Sequence, residues 1–126
     1  MIFWILSAIA LYTIGLFLPS LLLLPRIGIS AYVGSRDNEP EPSALHARVK
    51  RAHRNMMESL PVFLALAVLA LVVPDADLAQ AILGAQVFVL ARVAFLPLYL
   101  AAVPWARSVA WIAGFVGLIM MAMALI

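Results

Sequence analysis

Residues 51–58 read Arg51-Ala52-His53-Arg54-Asn55-Met56-Met57-Glu58 and lead directly into the apolar stretch Leu60 to Val73. On one continuous helix, Arg51, Arg54, Asn55 and Glu58 fall at separations of three, four and seven, so they share a face. That face is a polar stripe running into an otherwise apolar segment. Guanidinium, amide and carboxylate groups at the edge of a bilayer are costly, and they need partners. Either neighbouring helices supply those partners or a polar ligand does.

The surrounding chain makes a bilayer the natural setting. Of its 126 residues 67% are hydrophobic and only 11% charged, with a mean hydropathy of +1.13. A soluble domain averages about 45–50% apolar and about 25% charged residues. A chain of this size could not hide so much apolar surface from water, which points to an integral membrane protein. At ~20 apolar residues per crossing, its length suits four spanning helices in one membrane domain over residues 1–126. Cysteine is absent, which excludes disulfides, thiolate metal sites and a cysteine nucleophile. The net charge of +2 sits beside the apolar segments with no aromatic–basic platform, so nucleic acid is not an expected partner.

Upstream of the stripe, the first apolar run spans residues 2–24, about 34 Å as a helix. It lacks a basic start and is longer than the apolar part of a signal peptide, so it reads as a retained transmembrane helix. Gly28, Gly34, Asp37, Asn38, Pro40 and Pro42 predict an irregular connection from Arg26 to Pro42. Ser43 is an expected N-cap for a second helix over 44–73, with a kink at Pro61 beside Glu58. Pro74 to Asp77 predicts a tight turn, and a third helix follows over 78–102. Arg92 lies deep within that helix. Pro104 suits the first position of a fourth helix over 104–126.

Charge sets an expected topology. Arg26, Arg36, Arg48, Lys50, Arg51 and Arg54 lie on the connection after helix 1 or the start of helix 2, and Arg107 lies on the same side. The turn between helices 2 and 3 carries only Asp75 and Asp77. By the positive-inside rule, loop 26–43 and the helix 3–4 turn face the cytoplasm.

In an up-and-down bundle, the start of helix 2, the end of helix 3 and the start of helix 4 meet at one membrane face. That face gathers Arg51, Arg54, Asn55, Glu58, Arg92, Tyr99, Arg107 and Ser108. Arginines bind carboxylates through paired N–H donors, and Glu58 could hold an ammonium group. Arg107 lies near the positive end of the helix 4 dipole, where a thiol would ionise more readily.

Two motif blocks carry a resemblance to a known family. Arg51 to Glu58, followed by Leu60-Pro61, is the first. The second is Ala91-Arg92-Val93-Ala94 with Tyr99, then Pro104 and Arg107-Ser108-Val109. Together they resemble the MAPEG superfamily, membrane-associated proteins of eicosanoid and glutathione metabolism, and in motif its microsomal prostaglandin E synthase and glutathione S-transferase types. The resemblance implies an all-α, four-helix membrane protein assembling as a homotrimer, with glutathione bound between neighbouring subunits. It implies Arg51, Arg54, Asn55, Glu58 and Tyr99 as glutathione contacts, Arg107 and Ser108 as catalytic residues that stabilise and assist the thiolate, and a structural role for Arg92 as a partner of Glu58 or of a freed carbonyl.

There are departures. Phe95 stands where eicosanoid-metabolising members carry histidine or tyrosine, and Trp111 stands where a tyrosine is common. Arg26 is the nearest match to an arginine expected at the end of helix 1. These changes remove hydroxyl and imidazole contacts while keeping the charged ones.

The resemblance therefore implies a glutathione-dependent membrane transferase or peroxidase acting on a lipophilic electrophile, a small-molecule substrate that enters from the bilayer, with membrane lipid as the surrounding partner. A non-catalytic trimeric protein binding glutathione or lipid is the alternative, and a small transporter lacks the usual repeated halves. Bland roles also have their places. His46 and His53 read as solvated residues at headgroup level with no metal role, and Trp4, Trp105 and Trp111 as anchors in an interfacial aromatic belt.

Overall fold

The computed structural model describes residues 1–35 and 40–126; Arg36, Asp37 and Asn38 of the expected basic loop lie outside the described residues. Four helices follow one another: α1 (Ile2–Val33), α2 (Ala44–Val72), α3 (Leu78–Leu100) and α4 (Pro104–Met123). Each is long and apolar enough to cross a membrane, and no strand occurs among the described residues.

Three helix starts follow local chemistry. Ser43 accepts from the His46 backbone N–H at 3.2 Å and caps α2. Asp77 does the same for α3 through Gln80 N–H at 2.9 Å. Pro104 occupies the first turn of α4, where its missing N–H leaves no bond unmade.

The first helix departs from expectation. Instead of giving way to an irregular loop after Leu24, α1 continues through Pro25 and Arg26 to Val33. A proline inside a helix costs one hydrogen bond to the preceding turn and bends it, yet does not forbid the residues that follow. The path breaks at Gly28 instead, whose φ of 76° and ψ of 165° suit a residue without Cβ. At Pro61, where a kink is expected, α2 remains helical. There Ser59 Oγ lies 3.1 Å from the Asn55 carbonyl oxygen and 3.2 Å from that of Met56.

Lipid is as apolar as leucine, so helices in a membrane associate by close packing and not by escape from water. α3 and α4 form the most extensive contact, and two glycines make it possible. A Cβ on Gly84 would lie 2.7 Å from the Gly117 carbonyl oxygen; one on Gly117 would lie 2.7 Å from the Gly84 oxygen and the Phe88 nitrogen. The main core stacks Phe63 of α2 on Phe88 of α3, ring centres 4.6 Å apart, with Met121 of α4 and Ala8 of α1 buried around them. α1 packs against α2 and α3 but not α4. α2 and α4 touch sparingly, and the space they leave is where the polar residues collect.

Candidate functional site

The turn between α3 and α4 sets the site's geometry. Val103 N–H donates to the Leu98 carbonyl at 3.0 Å and Ala102 N–H to that of Tyr99 at 3.2 Å, with Ala102 at φ 59°. This is a Schellman closure with alanine at the position that favours glycine. Arg48 reinforces it from α2, its Nη1 donating to the Leu100 carbonyl at 2.6 Å. By charge alone Arg48 marks only topology, yet here it ties the start of α2 to the end of α3. Tyr99, in the last turn of α3, and Arg107, in the first turn of α4, are thereby held side by side.

Tyr99 is the meeting point of two arginines. Arg51 donates from Nε to the Tyr99 hydroxyl at 3.3 Å. The Arg107 guanidinium lies over the ring, 4.9 Å from its centre, a cation–π contact. Beneath, Phe95 tilts against the same ring at 5.2 Å. A cleft of about 320 Å³ opens here, lined by Asn55, Phe95, Tyr99, Arg107, Ser108 and Trp111 among others. A second cleft of about 220 Å³ continues along the α2–α4 gap. It shares Asn55 and Trp111 with the first and adds Glu58, Arg92 and an apolar wall of Val62, Phe115 and Leu118. Polar groups thus cluster at one end of a groove whose other end is hydrocarbon, the usual composition of a small-molecule site.

Arg92 anchors the back of the groove. It is 4% exposed, inside a bundle where an unpartnered charge is expensive. Neither partner expected from the sequence is the one found: its Nη1 donates to the Asn55 side-chain oxygen at 2.5 Å, and Glu58 remains exposed. The rings of Phe88 and Phe95 flank the guanidinium at 5.1 and 5.7 Å. Gly114 makes room, since a Cβ there would sit 3.4 Å from Arg92 Nε. Arginine can only donate, so the Asn55 oxygen must face it, and the Asn55 NH₂ is left to face the groove. The amide therefore offers donors to a ligand.

Ser108 lines the cleft, but its hydroxyl donates to the Pro104 carbonyl one turn back at 3.1 Å. Arg54 lines neither cleft and extends outward, its Nε 3.9 Å from Glu58 Oε1 with both side chains largely exposed. Two walls are Phe95 and Trp111, apolar residues that read in the sequence only as lost polar contacts or, for Trp111, a belt anchor. Trp111 stacks along Phe115 at 5.8 Å and lines both clefts. The histidines also differ from expectation. His46 is buried, and His53 turns inward against Tyr12, ring centres 5.2 Å apart. The helical period that aligns 51, 54, 55 and 58 places both histidines on the opposite face, a signal present in the sequence.

Among known proteins, the family model described as MAPEG family matches residues 1–126. No curated protein and no solved structure matches the chain.

Proposed function

The chain belongs to the MAPEG family over its whole length, and from that premise we propose that it is a glutathione-dependent membrane transferase or peroxidase acting on a lipophilic electrophile. The observation that carries this reading is the pair of arginines assembled on Tyr99 at the mouth of a groove that turns apolar along α4. Glutathione is a tripeptide with carboxylates at both ends, an ammonium group and a thiol. The residues suit it by charge and by donor count. Arg51 and Arg107 offer guanidinium donors to carboxylates, and Asn55 offers amide donors. Glu58, exposed and paired among the described residues only loosely with Arg54, is free to take the ammonium group. Arg54 would turn toward a carboxylate once that pair opens.

The tripeptide's sulfur supplies the nucleophile. Arg107, at the first turn of α4, adds its charge to the helix dipole and favours an ionised thiol beside it. Tyr99 positions Arg107 through its ring. The apolar wall of Val62, Phe115 and Leu118 would hold the electrophile against the bilayer side, so that rate enhancement comes from juxtaposition and thiol ionisation. Arg51, Arg54 and Glu58 stand exposed on one chain, which supports a homotrimer in which a neighbouring subunit closes the site. The basic side of the bundle is then cytoplasmic.

The second reading, a non-catalytic trimer that binds glutathione or lipid, is favoured by one observation. The Ser108 hydroxyl is engaged with its own helix, and Phe95 and Trp111 add no proton-transfer group. Conjugation of a generic electrophile separates the two. Arg107→Ala should keep the assembly intact and abolish turnover; undiminished turnover would remove Arg107 from the chemistry, and no turnover by the unaltered protein would favour the second reading.

A further inference from the structure

Behind the groove, between α1, α2 and α3, lies a small cavity of about 20 Å³. A site needs about 10–15 Å³ and at least two polar partners to hold one water. Two such partners border it. Arg92 and His53 both line the cavity, and Arg92 Nε and His53 Nδ1 are buried with no hydrogen bond to a protein group among the described residues. Arg92 is more than nine-tenths buried. The remaining lining is apolar, with Met56, Phe95 and Leu96 among it, so nothing else there competes for these atoms. Gly15 of α1, also in the lining, makes room for His53, since a Cβ there would lie 3.0 Å from Nδ1.

We propose that this cavity is a water site, and that His53 is through it a positioning residue for the glutathione groove. An arginine N–H only donates, so the water accepts from Arg92 Nε and donates to His53 Nδ1, which fixes the imidazole proton on Nε2. Arg92 is then held at both ends: Nε through the water to α2's inward face, and Nη1 on the Asn55 oxygen. Asn55 in turn keeps its NH₂ toward the groove. The chain His53–water–Arg92–Asn55 thus links the buried side of α2 to its ligand-facing side across the α3 arginine. The water site stands on the cavity and its two polar atoms alone; the positioning role rests on the glutathione reading.

The test has two arms. In a structure of the unaltered protein at a resolution that reveals ordered solvent, one density peak should lie within hydrogen-bonding distance of both atoms. In glutathione binding measured by calorimetry, His53→Leu should weaken affinity about tenfold, the scale of an unsatisfied buried donor, and His53→Asn, whose side-chain oxygen can stand near the Nδ1 position, should recover most of it. In an Asn55→Ala background, His53→Leu should change affinity little, because its route to the ligand runs through Asn55. An empty cavity in the map overturns the proposal whatever the binding result. An equal loss from His53→Leu in both backgrounds overturns the positioning role. If the unaltered protein fails to bind glutathione while the density peak is present, the glutathione reading falls and the water site stands.

Discussion

The Arg107 guanidinium and the Tyr99 ring face each other at 4.9 Å across the α3–α4 turn, and Arg51 reaches the same tyrosine's hydroxyl from α2. One side chain therefore brings two cations from different helices to a common depth. Left alone they would repel, so the arrangement is most stable when an anion lies between or beside them.

Separating the ring from the hydroxyl tests that relationship. Tyr99→Phe keeps the platform under Arg107 and removes the acceptor of Arg51; we expect glutathione binding to weaken about threefold to tenfold. Tyr99→Leu removes both and should cost a further ~0.5–1 kcal/mol. Calorimetric titration in nanodiscs measures both variants, and equal affinities would mean that the ring does not hold Arg107.

Asn55 and Arg92 are expected to behave as a unit in stability. Asn55→Leu leaves a buried guanidinium N–H without its acceptor and should lower unfolding free energy by about 1–3 kcal/mol in detergent. Adding Arg92→Met removes the stranded charge and should recover most of the loss. Failure of the double variant to recover would indicate that the burial of Arg92 matters for packing alone.

The glycine pair between α3 and α4 should tolerate no methyl group. The atoms that Gly117→Ala would strike are backbone, which cannot swing aside, and we expect a loss of about 1–3 kcal/mol. Gly34→Ala, whose added Cβ would meet only ordinary contacts at 3.5 Å, is the control and should stay within about 0.5 kcal/mol of the unaltered protein. Thermal unfolding of both variants in the same detergent makes the comparison.

Ala102 presents the reverse case. Its left-handed backbone, φ 59°, is strained for a residue with Cβ. Ala102→Gly should stabilise the protein by roughly 0.5–1 kcal/mol while leaving Tyr99 and Arg107 where they are, read as a higher melting temperature with unchanged ligand affinity.

Much of this architecture is legible in residue order, because bilayer length and helical period constrain it strongly. Ser43, Asp77 and Pro104 announce three helix starts, and the spacing of residues 51–58 puts Asn55 and Glu58 on the groove side. What the sequence leaves open are choices between near-equals. Asn55 and Glu58 lie one turn apart on the same face, so either could have met Arg92; only the packing of α3 selects Asn55. Arg48 carries no local sign that it will reach a carbonyl 52 residues away. The end of α1 is obscured because Gly28 and Gly34 read as loop residues, whereas the helix breaks at Gly28 and resumes to Val33. His53 reads as a headgroup residue because polar residues beside a membrane usually lie there, although its helical phase turns it inward toward Tyr12.

The most direct measurement is glutathione binding by the purified protein at neutral pH, followed by the ultraviolet absorbance of the thiolate. We expect saturable binding with thiolate absorbance in the unaltered protein, and binding without that absorbance in Arg107→Ala. A protein that binds no glutathione, or binds it with the thiol still protonated, would contradict the claim that these arginines gather to hold and ionise it.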